Sequence, residues 1–404
     1  MQCEALEVLG RVARLRDLDQ ARAIFTRQLA VAEDGTLAVW RLRALQQLGT
    51  LDLIAGPVLD GMQKARAVAV EQGALASTAN IDLQIASNLG GGFQVDECLQ
   101  AAERCADLAR RWRLGSMLPI AQVVAASAHG IAGRRSEMEH LIAQALAGDV
   151  DDEVRLLVRG RCRAIVALLD EDHEAALAEF DAAMDLVRAT PAPTLRPWFA
   201  LWALLRTVHD RDGAQARAKA RGHTPVGSRT GEALIDFAEA VARGRDGDPT
   251  TASGLVSAAC RTLAPVANCY SGYHQLALRV TGEAALDDGW GEPVRWLGDA
   301  TVFFHEHGHH AVVRACRRLL RRAGAPVPRI DATTAVPAML RRYGITEREH
   351  DVLLLVAAGR TSAQIADELV ISRRTVDKHV ERLLAKTGAR RRGDLRGLVD
   401  SPRT

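Results

Sequence analysis

The stretch ITEREHDVLLLVAAGRTSAQIADELVISRRTVDKHVERLLAKTGARRRGDLRGL, Ile345 to Leu398, holds three helix-sized segments together with their start and stop signals. Thr346 and Glu349 have the spacing of a capping box, in which the hydroxyl accepts from a free N–H of the first turn and the carboxylate reaches back to the threonine N–H. Val352, Leu353 and Val356 follow on one helical face, and Gly359 stands where a helix would stop. Thr361 and Gln364 repeat the capping spacing ahead of Ile365, Ala366 and Leu369, the apolar stripe of a short second helix. Ser372 is a good N-cap for a third helix, with Val376, Val380, Leu383 and Leu384 on its buried side and Gly388 at its end. Two helices of this size joined by the three-residue turn Val370–Ser372 predict a helix-turn-helix, which lays its second helix into the major groove of DNA.

The remaining positions of the third helix, Arg373, Arg374, Asp377, Lys378, Glu381 and Arg382, point outward. A charged face is often only solvated, and here Arg373–Asp377 and Lys378–Glu381 have the spacing of internal ion pairs. The face belongs to a capped helix-turn-helix and not to a lone helix, which favours contact with DNA. Charge distribution agrees. The chain of 404 residues has a net charge of only +2, yet residues 335–404 contain 14 Lys+Arg and 9 Asp+Glu, a balance of +5 against −3 for the rest. Attraction to phosphates needs the basic balance at that end.

The segment resembles the LuxR/GerE-type helix-turn-helix family. The matching residues are the ITERE start, Val352-Leu353, Gly359, Ile365-Ala366, Leu369, Ile371-Ser372, Thr375-Val376, His379, Leu384, Lys386 and Gly388, within about 55 of the 404 residues. The resemblance implies a four-helix unit, with Gly393–Val399 as the fourth helix supporting a homodimer on DNA. Four positions depart from the family's pattern. Asp377 and Glu381 stand where basic or polar residues are common; a carboxylate can accept from cytosine N4 but repels phosphate. Val370 replaces a frequent glycine, and a β-branched residue disfavours positive φ. Thr387 replaces a frequent leucine at the end of the third helix.

Ahead of this unit, hydrophobic content of 48% with only 4% aromatics, rich in alanine, leucine and arginine, favours helices over sheets. Residues 1–323 read as amphipathic helices broken by short polar turns, for example DQARAIFTRQLAVA (Asp19–Ala32) and EAALAEFDAAMDLV (Glu174–Val187). Turn signals near Asp17, Gly49, Gly91, Gly133, Asp170, Asp212, Gly247 and Asp288 recur at roughly 35 to 42 residues, the period of a two-helix tetratricopeptide-type unit in which alanines let helices approach closely. The expected fold is all-α: a tetratricopeptide-like solenoid over 1–323, a linker over 324–337 containing prolines, and the helix-turn-helix domain over 338–404. An irregular helical bundle is the alternative for the front part. The combination resembles the carboxy-terminal half of large MalT-like LuxR-family regulators, whose last repeat runs into a Gly-Ala-Pro-x-Pro-Arg linker, here Gly324–Arg329. Their amino-terminal ATP-binding domain is not expected within this sequence, which reads either as a naturally short member or as one that begins inside a longer product. No G-x-x-x-x-G-K-[ST] occurs, Gly56–Gly61 is followed by Met62 and Gln63, and Gly90–Gly92 reads as a turn.

His305-Glu306-His307-Gly308-His309-His310 contains H-E-x-x-H, which on one helix would place two zinc ligands and a general base together. Gly308 argues against it, because it should end the helix begun near Pro293 and let a new one start near His309. The histidines then read as surface and turn residues, with no metal, cofactor or catalytic group expected. Isolated His129, His173, His209 and His274 read as structural. Trp198, Trp202, Trp290 and Trp296 read as core, with a ligand pocket inside the solenoid as the alternative. Seven scattered cysteines without a C-x-x-C pair, and a charged amino-terminal stretch that does not read as a signal peptide, suit a reducing cytoplasm. No 18-residue uncharged apolar run appears; Met117–Gly133 comes closest but contains Pro119, Gln122 and His129.

The expectation is a cytoplasmic, non-enzymatic transcriptional regulator that binds double-stranded DNA as a homodimer, with a protein or small-molecule effector read by the repeats. The expected DNA-binding residues are Thr361, Ser372, Arg373, Arg374, Thr375, Asp377, Lys378, His379, Glu381, Arg382, Lys386, Arg390, Arg391 and Arg392. Ser372 and Thr375 would position phosphates, Arg373, Asp377, Lys378 and Glu381 would face base edges, and Lys386 with Arg390, Arg391 and Arg392 would add attraction to phosphate. The rivals are an interaction scaffold with weak DNA binding, kept open by Asp377 and Glu381, and a zinc hydrolase using His305, Glu306 and His309.

Overall fold

Alanine- and leucine-rich segments with aspartate or serine at their starts become helices here, and among the described residues every regular element is helical. The structure, a computed structural model, describes residues 1–56, 58–115, 117–148, 150–187, 196–209, 211–328, 340, 343–357, 359–369 and 371–398. These fall into two compact units, Met1–Ala300 and Thr301–Thr404.

The first unit runs α1 (Gln2–Ala13), α2 (Leu18–Asp34), α3 (Ala38–Ala55), α4 (Asp60–Glu71), α5 (Leu75–Gly91), α6 (Val95–Trp112), α7 (Met117–Ile131), α8 (Arg135–Ala145), α9 (Asp152–Leu157), a π-helical segment Val158–Arg163, α10 (Ala164–Leu169), α11 (His173–Asp185), α12 (Trp198–Val208), α13 (Gly213–Gly222), α14 (Arg229–Arg245), α15 (Pro249–Leu263) and α16 (Ala267–Asp288). The leading helices of successive pairs start at residues 2, 38, 75, 117, 152, 198, 229 and 267, intervals of 31 to 46 residues that centre on the expected period but spread beyond it around α12. Caps supply its punctuation. Asp17 accepts from the N–H groups of Asp19 and Gln20 at 2.9 and 3.0 Å, and Asp172 and Asp248 cap α11 and α15 in the same way. Gly49 is an exception. It lies inside α3, where an added Cβ would sit 2.9 Å from the Met62 nitrogen, so it marks a close approach of α3 and α4 and not a turn.

Small side chains set the packing. On α6 the buried residues Cys98, Ala101, Ala102, Cys105, Ala106 and Ala109 recur at helical spacing. Burial pushes the Cys98 and Cys105 thiols up to about 11, which makes them packing groups and not nucleophiles at neutral pH. Asp82 of α5, fully buried, accepts from Arg66 of α4 at 2.7 Å and from Arg104 of α6 at 2.9 Å, so one carboxylate fastens three consecutive helices.

A simple solenoid touches only its neighbours. This one curls back on itself, because α16 packs on α5 as well as on α12 and α14. The Ser271 hydroxyl donates to the Gly92 carbonyl at 2.8 Å, and Arg279 pairs with Glu171. Gly91 permits that closure: a Cβ there would lie 2.5 Å from the Cys269 carbonyl oxygen. The run Gly90–Gly92, expected only as a turn, is also a helix-crossing point. The curled array lines a half-open cavity of about 490 Å³.

The division between the units falls inside α17 (Pro293–Glu306) and not in the stretch 324–337 expected as a linker, of which residues 329–337 lie outside the described part. The helix α18 (His310–Arg322) belongs to the second unit, where the His310 ring meets the His350 ring edge-on at 5.0 Å. Gly308, at φ +77°, separates α17 from α18. His305 therefore lies in the last turn of one helix while His309 caps the next, and the shared face that H-E-x-x-H requires is not formed.

Candidate nucleic-acid interface

The second unit goes on, among the described residues, with a first helix Glu347–Ala357, a scaffold helix Ser362–Leu369 and a third helix Arg373–Thr387, with a short 3-10 helix Arg392–Leu398 after them. That last element takes the place of the expected α-helix at 393–399. The local starts form as the spacing predicts. The Thr346 N–H donates to the Glu349 carboxylate at 2.9 Å and the Glu349 N–H to the Thr346 hydroxyl at 3.3 Å. Thr361 and Gln364 repeat both bonds at 2.9 and 3.3 Å, and the Thr375 N–H donates to Ser372 Oγ at 3.1 Å. Gly388, at φ +71°, closes the third helix, and the Thr387 hydroxyl donates to the Leu383 carbonyl at 2.7 Å. Val370 lies outside the described residues.

Val352, Leu353, Val356, Ile365, Leu369, Val376, Val380, Leu383 and Leu395 form one shared core. Three contacts that span the chain lock it. Lys386 Nζ donates to Glu349 and to the Gly344 carbonyl, both at 2.6 Å. The Arg348 guanidinium donates to the Leu369 carbonyl at 2.8 Å, holding the end of the scaffold helix. Arg392 donates to Ser362 Oγ at 2.9 Å and to the Arg360 carbonyl at 2.6 Å. Burial opposes ionisation of Glu349, but the hydrogen bonds from Lys386 and from Thr346 outweigh it and hold the carboxyl below its ordinary value.

With Val376, Val380 and Leu383 facing inward, Arg373, Arg374, Asp377, Lys378, Glu381 and Arg382 are all exposed. Among the described residues no ion pair within 4 Å joins any of them, so the intrahelical pairs Arg373–Asp377 and Lys378–Glu381 that the spacing allowed do not form. Ser372 and Thr375 sit at the start of this helix, hydroxyl to hydroxyl at 2.8 Å, and Thr361 sits exposed at the start of the scaffold helix. His379 is half-buried on the same helix, and desolvation leads the effects that lower its pKa. Arg390 and Arg391 are exposed, and the Arg391 N–H is held by Asp394 at 2.9 Å. Lys386 and Arg392, expected as phosphate contacts, are instead engaged inside the fold. Arg348 was not among the expected site residues; only the tertiary fold reveals it as the group that positions the scaffold helix.

The family model described as bacterial regulatory proteins, luxR family (GerE), matches residues 344–397. A curated relative, the DNA-binding transcriptional activator DevR/DosR of Mycobacterium tuberculosis, is 45% identical over 49 residues, which are 12% of this chain and 23% of that protein. The chain thus spans about a quarter of the length of the curated relative that it matches. Among solved structures, the P58(IPK) TPR domain aligns over 97% of this chain and 100% of its own at 15% identity, with a TM-score of 0.22 that carries no argument about the fold.

Proposed function

We propose that this chain, whose residues 344–397 form a luxR-family helix-turn-helix domain, is a DNA-binding transcriptional regulator that reads promoter DNA with the helix Arg373–Thr387. One observation carries the reading: an exposed, capped helix, anchored to its own core, presents Arg373, Arg374, Lys378 and Arg382 with no ion pair among the described residues. Surface cations that satisfy no internal carboxylate are available to phosphate and to guanine edges. In this proposal Thr361, Ser372 and Thr375 fix the backbone of the duplex, Arg373, Asp377, Lys378 and Glu381 face the bases, and Arg374, Arg382, Arg390 and Arg391 supply phosphate attraction. Lys386 and Arg392 hold the frame, and His379 lines the same helix. The protein would bind as a homodimer, in the compartment that holds the chromosome, with the curled repeats sensing an effector.

The test is binding of the purified chain to the DNA upstream of its own gene, against excess random DNA, across a salt series. Saturable and sequence-selective binding with a steep salt dependence supports the proposal. Equal, weak binding to both DNAs overturns it in favour of an interaction scaffold, the reading that the exposed carboxylates Asp377 and Glu381 favour.

A further inference from the structure

Throughout the repeats, arginines that bridge helices meet carboxylates: Arg22 meets Asp52, Arg159 meets Glu179, Arg206 meets Asp181 and Arg217 meets Glu239. The cavity of about 490 Å³ inside the curled array breaks that habit. Its walls include Arg11, Arg14 and Arg161, and among the described residues no carboxylate lies within 4 Å of any of them. Glu153 also lines it, but Arg196 holds that carboxylate at 2.6 Å and matches its charge. The cavity therefore carries uncompensated positive charge.

Arg161 is the informative member. It is only 9% exposed, and its Nε has no hydrogen-bond partner. One guanidinium nitrogen, Nη2, donates to the Ser87 carbonyl near the end of α5 at 2.9 Å. An added Cβ at Gly90 would lie 2.5 Å from that nitrogen, so a glycine is needed for the arginine to seat. Arg161 is delivered by the π-helical segment Val158–Arg163, a rare wide turn that interrupts α9 and α10 and that recurs at functional sites. Across the cavity, Arg14 donates to Gln47 at 3.0 Å while its Nε is also buried without a partner. Burial and the neighbouring charge of Arg11 lower the Arg14 pKa. Arg161 and Arg14 thus bring guanidinium charge to the cavity wall without a carboxylate partner among the described residues, and an anion in the cavity would supply the missing opposite charge.

The rest of the wall is made for hydrogen bonding. Gln46 and Gln84 both donate to Asn80 Oδ1, at 2.8 and 2.7 Å, and Thr50 donates to Gln84 at 3.3 Å. Trp198, Tyr270 and Tyr273 line the same cavity, each 2 to 4% exposed, and add flat apolar surface. The volume lies within the roughly 300–1,000 Å³ of small-molecule sites.

From this geometry we infer that the cavity between α1, α3, α5, the π-helical segment and α16 binds a small organic anion, its carboxylate or phosphate held by Arg161 and Arg14. The inference deepens the proposal that the repeats sense an effector. Binding is measured without DNA, so it can fail while DNA binding stands, and the reverse.

The experiment is calorimetric titration of the full chain with citrate, inorganic phosphate, glucose 6-phosphate and glucose, at ionic strength matched with sodium chloride. At least one anion should bind saturably at one site per chain, and glucose should not. Citrate alone would assign a carboxylate ligand, and phosphate or its ester alone a phosphate ligand. Arg161→Gln should weaken that binding tenfold or more, and Arg14→Gln, at the half-buried side and therefore safer for folding, several-fold. Arg135→Gln, outside the cavity, should leave it unchanged. The inference fails if none of the three anions binds saturably, if glucose binds as well as glucose 6-phosphate, or if both cavity variants bind like the parent.

Discussion

The repeat array and the helix Arg373–Thr387 use the same side chains in opposite ways. In the array, arginines reach across to carboxylates on neighbouring helices, as Arg66 and Arg104 do to Asp82 and Arg135 does to Asp170. On the helix Arg373–Thr387 the arginines and Lys378 point to solvent with no such partner among the described residues. Matched charge serves the fold, whereas in the proposal above the unmatched charge of the exposed helix serves contact with DNA. The same criterion separates residues within the second unit, where Lys386 is matched to Glu349 and Arg373 has no ion pair among the described residues. Within the array, Arg14 and Arg161 also lack a carboxylate partner among the described residues and line the cavity.

The largest effect should come from the matched side of this comparison. Asp82→Ala removes a carboxylate that accepts from two arginines; hydrogen bonds to charged groups are each worth about 1.5–3 kcal/mol, and Arg66 and Arg104 can turn to solvent, so a loss of about 2–3 kcal/mol is expected. Urea denaturation reads it, and affinity for DNA at a temperature where the chain is folded should not change. If affinity fell with stability, matched and unmatched charges would not be separable. Arg373→Ala should do the reverse. Specific affinity should drop by about 1–3 kcal/mol and the salt slope by about one, with unfolding unaltered. Fluorescence anisotropy at several salt concentrations decides this.

Ser372→Ala removes the side-chain cap of the helix Arg373–Thr387 and should cost about 1 kcal/mol of domain stability, seen as a lower melting temperature. The pH dependence of the second unit sharpens the matched case further. Because the folded Glu349 carboxyl is held below its unfolded value of about 4.3, its contribution is complete above that pH and is lost as pH falls through the lower, folded value. A melting series from pH 6 to 3 should show this loss, and Glu349→Gln should show less of it. The smallest effect belongs to Arg135→Ala. Its pair with Asp170 is matched but exposed, so less than about 1 kcal/mol is expected. A larger change would mean that burial is not what gives matched pairs their weight.

Much of this was legible in the chain because its physics is local. The capping boxes at Thr346 and Thr361 and the Ser372 cap join residues three apart. The stop at Gly308 needs only the left-handed backbone that glycine favours. What escaped the reading depends on distance along the chain. Gly49 looked like a turn because glycine signals both a turn and a close crossing of helices, and only the position of Met62 distinguishes them. Lys386 looked like a phosphate contact until the fold set it against Glu349, 37 residues away.

By itself, the sequence determined the helical class, the approximate repeat period and the outward charged face of the helix Arg373–Thr387, because helix formation and amphipathicity depend on neighbours within a turn or two. Tertiary structure alone decided which charges are matched and where the array closes. The bond from Ser271 to Gly92 spans 179 residues and that from Arg161 to Ser87 spans 74, distances at which no periodicity in the chain specifies a partner. Contacts of that range form only when packing brings the helices together, and the cavity with its unmatched arginines is a product of that closure.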